Sequence, residues 1–123
     1  MTRAGCIICD QNGDVLVVYA GTWEFPGGLV PDGQFPQVAL QEALKKELGI
    51  TVRIERELGS RQNGKRVWFL GEITAGEAAL HTNAYTKFGY FSLVTLTRRY
   101  DELAPDIKEF LEAMAYGEIM LDV

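Results

Sequence analysis

Lys46 and Glu47 are adjacent residues on a predicted helix that follows a glycine-rich turn. Ala43 lies three residues before Lys46 and four before Glu47, and helical geometry places these three positions on one face. A carboxylate such as Glu47 is a ligand that Mg²⁺ prefers, and an ammonium such as that of Lys46 can contact a phosphate group. Residues of these types on one face are therefore candidates for contact with a cation or a phosphate group. The alternative is a solvated helix face on which Glu42 and Lys46 form an i,i+4 pair.

The helix that carries these residues is predicted from Pro36 to Leu48. Its apolar stripe, with the i, i+4, i+8 spacing of a helix face, consists of Leu40, Leu44 and Leu48. The preceding segment WEFPGG predicts a shaped loop, because proline removes a backbone donor and paired glycines permit backbone angles closed to other residues. We expect Gly28 to need such angles, and Gly27 and Gly28 to lie at the ligand site.

The remaining elements alternate between strands and turns. Strands are predicted at residues 3–9, 14–20, 50–58, 66–74 and 85–96. Asn12-Gly13 and Asn63-Gly64 each favour a hairpin, since Asn-Gly is the strongest short hairpin signal. Pro105 begins a second long helix. Because no linker or repeat interrupts the pattern, we predict a single α/β domain over residues 1–123, in which the sheet and two helices share one core.

The segment GGLVPDGQFPQVALQEALKKELGI resembles the Nudix box, whose pattern is G-x5-E-x7-R-E-U-x-E-E-x-G-U with U an apolar residue. The spacing is intact, and the matching positions are Gly28, Leu44, Glu47, Gly49 and Ile50. The preceding WEFPGG is also typical of this family. The chain is similar most of all to short Nudix proteins of the MutT type, which hydrolyse nucleoside triphosphates. The resemblance implies an α/β/α sandwich with a mixed sheet, the box helix and a C-terminal helix.

Four positions of the box depart from the family pattern, and they hold Gln34, Glu42, Ala43 and Lys46. Glu47 is the one carboxylate retained of those that the resemblance implies for Mg²⁺ binding, and it is the candidate catalytic and metal-binding residue. Ala43 supplies no ligand, and the Lys46 ammonium would repel a divalent cation by about several kcal/mol at an effective dielectric near 20. We therefore interpret the box as degenerate and expect Mg²⁺ to bind weakly or not at all.

Two functions from different classes follow from the resemblance. The first is a binding protein for a nucleotide or nucleoside-diphosphate-linked ligand, with weak or no hydrolysis. The second is a divergent hydrolase that cleaves the pyrophosphate linkage of a nucleoside triphosphate or nucleoside diphosphate derivative, with a late carboxylate, Glu72 or Glu77, assisting Glu47. Both late residues are otherwise surface carboxylates. A third alternative is a homodimer with a structural or protein-interaction role.

Three further residues outside the box are candidates for ligand binding. Arg61 and Lys65 flank the Asn63-Gly64 turn and would contact phosphates, or else only keep the hairpin tip soluble. Trp23 would stack on a base, or else pin its loop to the core.

Composition limits the remaining possibilities. The net charge is −5, which argues against a long nucleic acid as partner, because such binding depends on clustered Lys and Arg. Cys6 and Cys9 form a CxxC string on a predicted strand, where positions three apart point to opposite faces, so we predict free thiols instead of a redox or zinc pair. The N-terminal apolar run is too short for a signal peptide or a membrane span, and we expect a cytoplasmic protein.

Overall fold

Seven strands and three helices form residues 1–121, the part of the chain that the computed structural model describes. The last two residues of the predicted domain lie outside that range. The strands are β1 (Thr2–Ile8), β2 (Val15–Tyr19), β3 (Trp23–Glu24), β4 (Gly27–Val30), β5 (Thr51–Arg61), β6 (Arg66–Ala75) and β7 (Lys87–Phe91). The helices are α1 (Pro36–Leu48), α2 (Leu93–Arg98) and α3 (Pro105–Ala115), with a 3-10 turn at Tyr100–Glu102. None of these helices is long and apolar enough to cross a membrane.

Two sheets separate two hydrophobic cores. One sheet has the order β4-β1-β6-β5 and the other β3-β2-β7, and β1 and β6 run parallel while the other pairs are antiparallel. The predicted stripe of Leu40, Leu44 and Leu48 packs α1 into the first core. Ile107 and Phe110 pack α3 into the second core, on the other side. The predicted α/β/α sandwich with a mixed sheet is confirmed.

The second predicted hairpin is confirmed, and the first is wrong. β5 and β6 pair antiparallel around the Asn63-Gly64 turn, whereas β1 and β2 lie in different sheets and share a single bridge, Cys9 to Val15. The reason is that β4 and β6 occupy both edges of β1, so β2 has no edge of β1 to join. A local pattern predicts the turn, but it does not predict which strands pair with the two edges of β1.

The predicted strand over residues 85–96 is also too long. β7 ends at Phe91, and α2 follows because Ser92 caps it: its hydroxyl accepts a hydrogen bond from the Thr95 N–H at 3.0 Å. A serine before the first turn is a preferred N-cap. The two cysteines are free, as predicted, with Cys6 in the first core and Cys9 packed against the second. Burial raises the pKa of the Cys6 thiol to about 12.

Gly27, and not Gly28, is the constrained glycine of the WEFPGG segment. A Cβ on Gly27 would lie 2.0 Å from the carbonyl oxygen of Ala4, and its φ of +153° is one that other residues rarely adopt. A Cβ on Gly28 would have no heavy atom within 4 Å. The expectation that Gly28 needs special backbone angles is therefore wrong, since the close approach to β1 falls one residue earlier.

We predict that Gly27→Ala lowers the free energy of unfolding by at least about 2 kcal/mol, because it combines a steric clash with an unfavourable φ. Gly28→Ala is the matched control and should change stability by less than about 1 kcal/mol. Urea denaturation of both variants measures the difference. Equal losses in the two variants would contradict the assignment.

Asp106 ties the start of α3 to the segment between β3 and β4. Its side chain, only 8% exposed, accepts the Phe25 N–H at 3.2 Å and the Ile107 N–H at 2.7 Å. Alongside it, the Ala104 N–H donates to the Trp23 carbonyl at 2.7 Å. Burial raises the pKa of Asp106 above its ordinary value of 3.8, and the two N–H donors and nearby arginines only partly offset that rise.

This raised pKa predicts a pH dependence of stability. The folded state holds the Asp106 proton more tightly than the unfolded state, so the contribution of Asp106 to stability is full below about pH 3.8 and is lost as the pH rises through the folded pKa. Asp106→Asn removes the ionisation but keeps one of the two oxygen acceptors, since Phe25 and Ile107 donate to different oxygens. The variant loses a hydrogen bond at every pH, and its stability relative to the parent should therefore rise between pH 4 and pH 7 in urea denaturation. Asp32→Asn, at an exposed position, controls for the loss of one negative charge, and a pH-independent difference for Asp106→Asn would refute the prediction.

Candidate functional site

The candidate site lies at the C-terminal end of α1, where Glu47 meets Tyr85. The Tyr85 hydroxyl lies 3.0 Å from Glu47 Oε2 and 3.3 Å from the carbonyl oxygen of Gly27. A hydroxyl has one proton to donate, and the charged, nearer oxygen of Glu47 is the stronger acceptor. Tyr85 is 6% exposed, and burial, followed by the charge of Glu47, raises its pKa well above the ordinary value of 10.

The loop that carries Tyr85 is attached to the end of α1 by backbone hydrogen bonds. The last carbonyls of a helix lack partners within the helix, and here the His81 N–H donates to the Glu47 carbonyl at 2.8 Å and the Ala79 N–H to the Leu48 carbonyl at 3.1 Å. Gly49 ends α1 in the left-handed conformation, with φ of 70°. The helix end and the loop are therefore positioned together.

Two of the departures from the box pattern contact each other. Gln34 Nε2 donates to Glu42 Oε2 at 3.1 Å, joining the loop before α1 to the helix. This contact is exposed to solvent.

Lys46 remains available to a ligand. Its side chain is exposed, while Ala43 and Glu47 are half-buried. Within residues 1–121 Lys46 has no ion-pair partner, so the alternative pair with Glu42 is not formed.

The donors at this site do not fit a tightly bound Mg²⁺. They are one carboxylate, one backbone carbonyl and one phenol, whereas Mg²⁺ favours octahedral sets of oxygen ligands that include carboxylates. Within the described residues no three His, Cys, Asp or Glu side chains come together as a metal site.

A small polar pocket of about 220 Å³ lies on the α3 side of the same loop. It is lined by Arg3, Thr22, Glu24, Arg66, Ala104, Pro105 and Asp106. Arg3 Nη2 contacts Glu24 Oε1 at 3.3 Å, and Arg66 pairs with Glu109. The buried Nε of Arg66 has no hydrogen-bond partner, and a buried donor without a partner is costly. The pocket therefore brings two guanidinium and two carboxyl side chains together.

Electrostatics connect this pocket to the end of α1. Burial raises the pKa of Glu24, the Arg3 guanidinium lowers it, and the charges of Asp106 and Glu47 raise it further. Glu24 therefore lies within the field of both carboxylates. Sequence reasoning missed Glu24, Asp106 and Tyr85 as site residues. The available signals were the position of Glu24 in WEFPGG and of Asp106 beside a helix-starting proline, whereas Tyr85 gives none.

The two late carboxylates lie in different surroundings. Glu72 is exposed and pairs with Arg53, and strand alternation puts it on the face of β6 that carries Trp68 and Leu70, away from α1. Glu77 is exposed in the following loop, where it lines a separate groove beside Phe88 and Tyr90.

The other ligand candidates have structural contacts. Arg61 pairs with Glu118 and lies 5.9 Å from the centre of the Trp68 ring. Lys65 is exposed at the hairpin turn, and its carbonyl accepts the Arg3 N–H at 2.7 Å. Trp23 is buried between Tyr19 and Phe91, with edge-on ring contacts of 5.0 and 4.9 Å, the geometry of a core anchor.

Comparison with known proteins agrees with this geometry. The 8-oxo-dGTP diphosphatase of Proteus vulgaris is 38% identical over 56 residues, covering 40% of this chain and 50% of that protein. The RNA pyrophosphohydrolase of Shewanella woodyi is 28% identical over 106 residues, covering 67% of this chain and 61% of that protein. The chain thus spans 50% of the first relative's length and 61% of the second's.

A solved NUDIX hydrolase from Nitrosomonas europaea has the same fold, with a TM-score of 0.78 at 16% identity over 96% of this chain and 90% of that one. A sequence model of the NUDIX domain matches residues 1–114. The chain therefore belongs to the Nudix family.

Proposed function

We propose that this Nudix protein binds a nucleotide or nucleoside-diphosphate-linked ligand and hydrolyses it slowly or not at all. The observation that carries the proposal is the helix face that ends at Glu47, where the exposed Lys46 lies beside the one retained box carboxylate and Ala43 supplies no metal ligand. The names of the two curated relatives, a diphosphatase and a pyrophosphohydrolase, support a phosphate-containing ligand.

The helix face and the polar pocket suit different parts of such a ligand. The pocket, at about 220 Å³, is smaller than the roughly 300–1,000 Å³ of a complete ligand site, so it fits a fragment with hydrogen-bond donors and acceptors, such as a base. Lys46 is exposed and without an ion-pair partner within residues 1–121. Its ammonium is the group that we assign to the phosphates.

The case against rapid hydrolysis rests on the donor set. Attack on phosphorus in metal-dependent enzymes uses a cation that bridges phosphate oxygens and activates water. Here Glu47 is the one carboxylate on its helix face, and it accepts a hydrogen bond from Tyr85. The second candidate, a divergent hydrolase, is favoured by the retention of Glu47 and by the activities that the relatives are named for.

We predict that Lys46→Ala weakens nucleotide binding about tenfold, which corresponds to about 1.4 kcal/mol. Lys45→Ala is the matched control, since Lys45 is the neighbouring exposed lysine on the same helix. A thermal-shift panel of nucleoside mono-, di- and triphosphates and nucleoside diphosphate sugars identifies the ligand, and titration calorimetry measures both variants. If the two variants lose affinity equally, the ammonium of Lys46 has no specific contact with the phosphates.

We further predict that turnover of the ligands found in this panel, with millimolar Mg²⁺ present, stays well below about 1 s⁻¹, the lower range of ordinary enzymes. Phosphate release gives the rate, measured with added pyrophosphatase for nucleoside triphosphates and with added alkaline phosphatase for the phosphate monoesters formed from nucleoside diphosphate sugars, and Glu47→Gln is the control for residual catalysis. A turnover at or above that rate, abolished in Glu47→Gln, would establish the hydrolase in place of the binding protein.

A further inference from the structure

We propose that the hydroxyl of Tyr85 takes the place of a bound cation between Glu47 and the Gly27 carbonyl, and so keeps this site free of metal. Tyr85 closes the site, and its role does not depend on which ligand the protein binds. The Nudix pattern implies a bound metal, whereas the donors at the end of α1 do not fit one.

The first step is the convergence of two oxygens on one atom. Glu47 Oε2 carries negative charge and the Gly27 carbonyl oxygen is the negative end of a dipole, and both lie within 3.3 Å of the Tyr85 hydroxyl. Two such oxygens in a partly buried position need a cation or a proton donor between them, because leaving them unpaired is costly. The Tyr85 proton meets that need at Glu47.

The second step is a test of space. Mg²⁺ binds oxygen at about 2.0–2.1 Å. An ion that bound both Glu47 Oε2 and the Gly27 carbonyl on the side of Tyr85 would lie where the hydroxyl proton points to Glu47, and it would break the hydrogen bond of 3.0 Å. The hydrogen bond from the hydroxyl and an ion bridging these oxygens therefore compete for the same place.

The third step is the anchoring of Tyr85, which makes displacement difficult. Its ring is buried in the first core. The chain is held on both sides of it, by the His81 N–H on the Glu47 carbonyl and by the Thr86 N–H on the Tyr19 carbonyl at 2.9 Å. The hydroxyl cannot leave without moving the ring or this loop.

Restoring the missing box carboxylates tests this role of Tyr85. Ala43→Glu with Lys46→Glu adds two carboxylates to the helix face of Glu47 and removes the repelling ammonium. With Tyr85 in place, its hydroxyl still donates to Glu47. This double variant should therefore bind Mn²⁺ less tightly than the same variant without the hydroxyl. Mn²⁺ is an oxygen-seeking ion that can be followed by electron paramagnetic resonance.

The experiment compares Mn²⁺ binding to the double variant with and without Tyr85→Phe, which removes only the hydroxyl. We expect the added Tyr85→Phe to tighten Mn²⁺ binding at least tenfold. Tyr90→Phe in the same background is the matched control, because it removes a half-buried hydroxyl elsewhere on the sheet, and it should leave the affinity unchanged. Equal affinity with and without the Tyr85 hydroxyl, in proteins shown to be folded by circular dichroism, would overturn the proposal.

A second measurement needs no added carboxylates and keeps the test decisive if those variants do not fold. In the otherwise unchanged chain, the losses of melting temperature caused by Tyr85→Phe and Glu47→Gln should be non-additive, because both remove the same contact. Additive losses would show that the hydroxyl does not hold Glu47, and they would overturn the proposal as well.

Discussion

The close approach of Gly27 to β1 determines where the parts of the site lie. With no Cβ, Gly27 pairs with Gly5 across the β1–β4 ladder and lies against the Ala4 carbonyl. The Pro26 carbonyl accepts the Cys6 N–H at 2.9 Å beside it. β4 therefore begins at a fixed position, which also fixes the Gly27 carbonyl opposite Tyr85. Any side chain there would move the strand and the site together.

The WEFPGG segment lies between two acids, Glu47 and Asp106, whose carboxyl groups accept hydrogen bonds from different kinds of donor. On the α1 side, the Tyr85 hydroxyl donates to Glu47. On the α3 side, Asp106 is held by two backbone N–H groups, and Glu24 is paired with Arg3. A buried acid needs donors to remain charged and has a raised pKa when these do not fully offset burial. The loop is thus held from both faces by polar contacts that no apolar core could supply.

Local patterns predicted what depends on local interactions. The stripe of α1 and the hairpin of β5 and β6 could be predicted because their partners are a few residues apart along the chain. The pairing of β1 could not, since β4 and β6 take its edges from distant positions. The sequence also does not distinguish Gly27 from Gly28, because the difference is the approach of Ala4 in space. Tyr85 was missed for the same reason: 38 residues separate it from Glu47, and no periodicity links them.

The charges that remain accessible differ in how strongly solvent screens them. Lys46 is exposed, so its attraction for a phosphate would fall steeply with salt and would mainly assist encounter. Arg66 Nε and Asp106 are buried beside the pocket, where screening is weak and an unmatched group on the ligand would be costly. In the proposed complex, discrimination between ligands would therefore come from the pocket. The phosphate end would set the rate of capture.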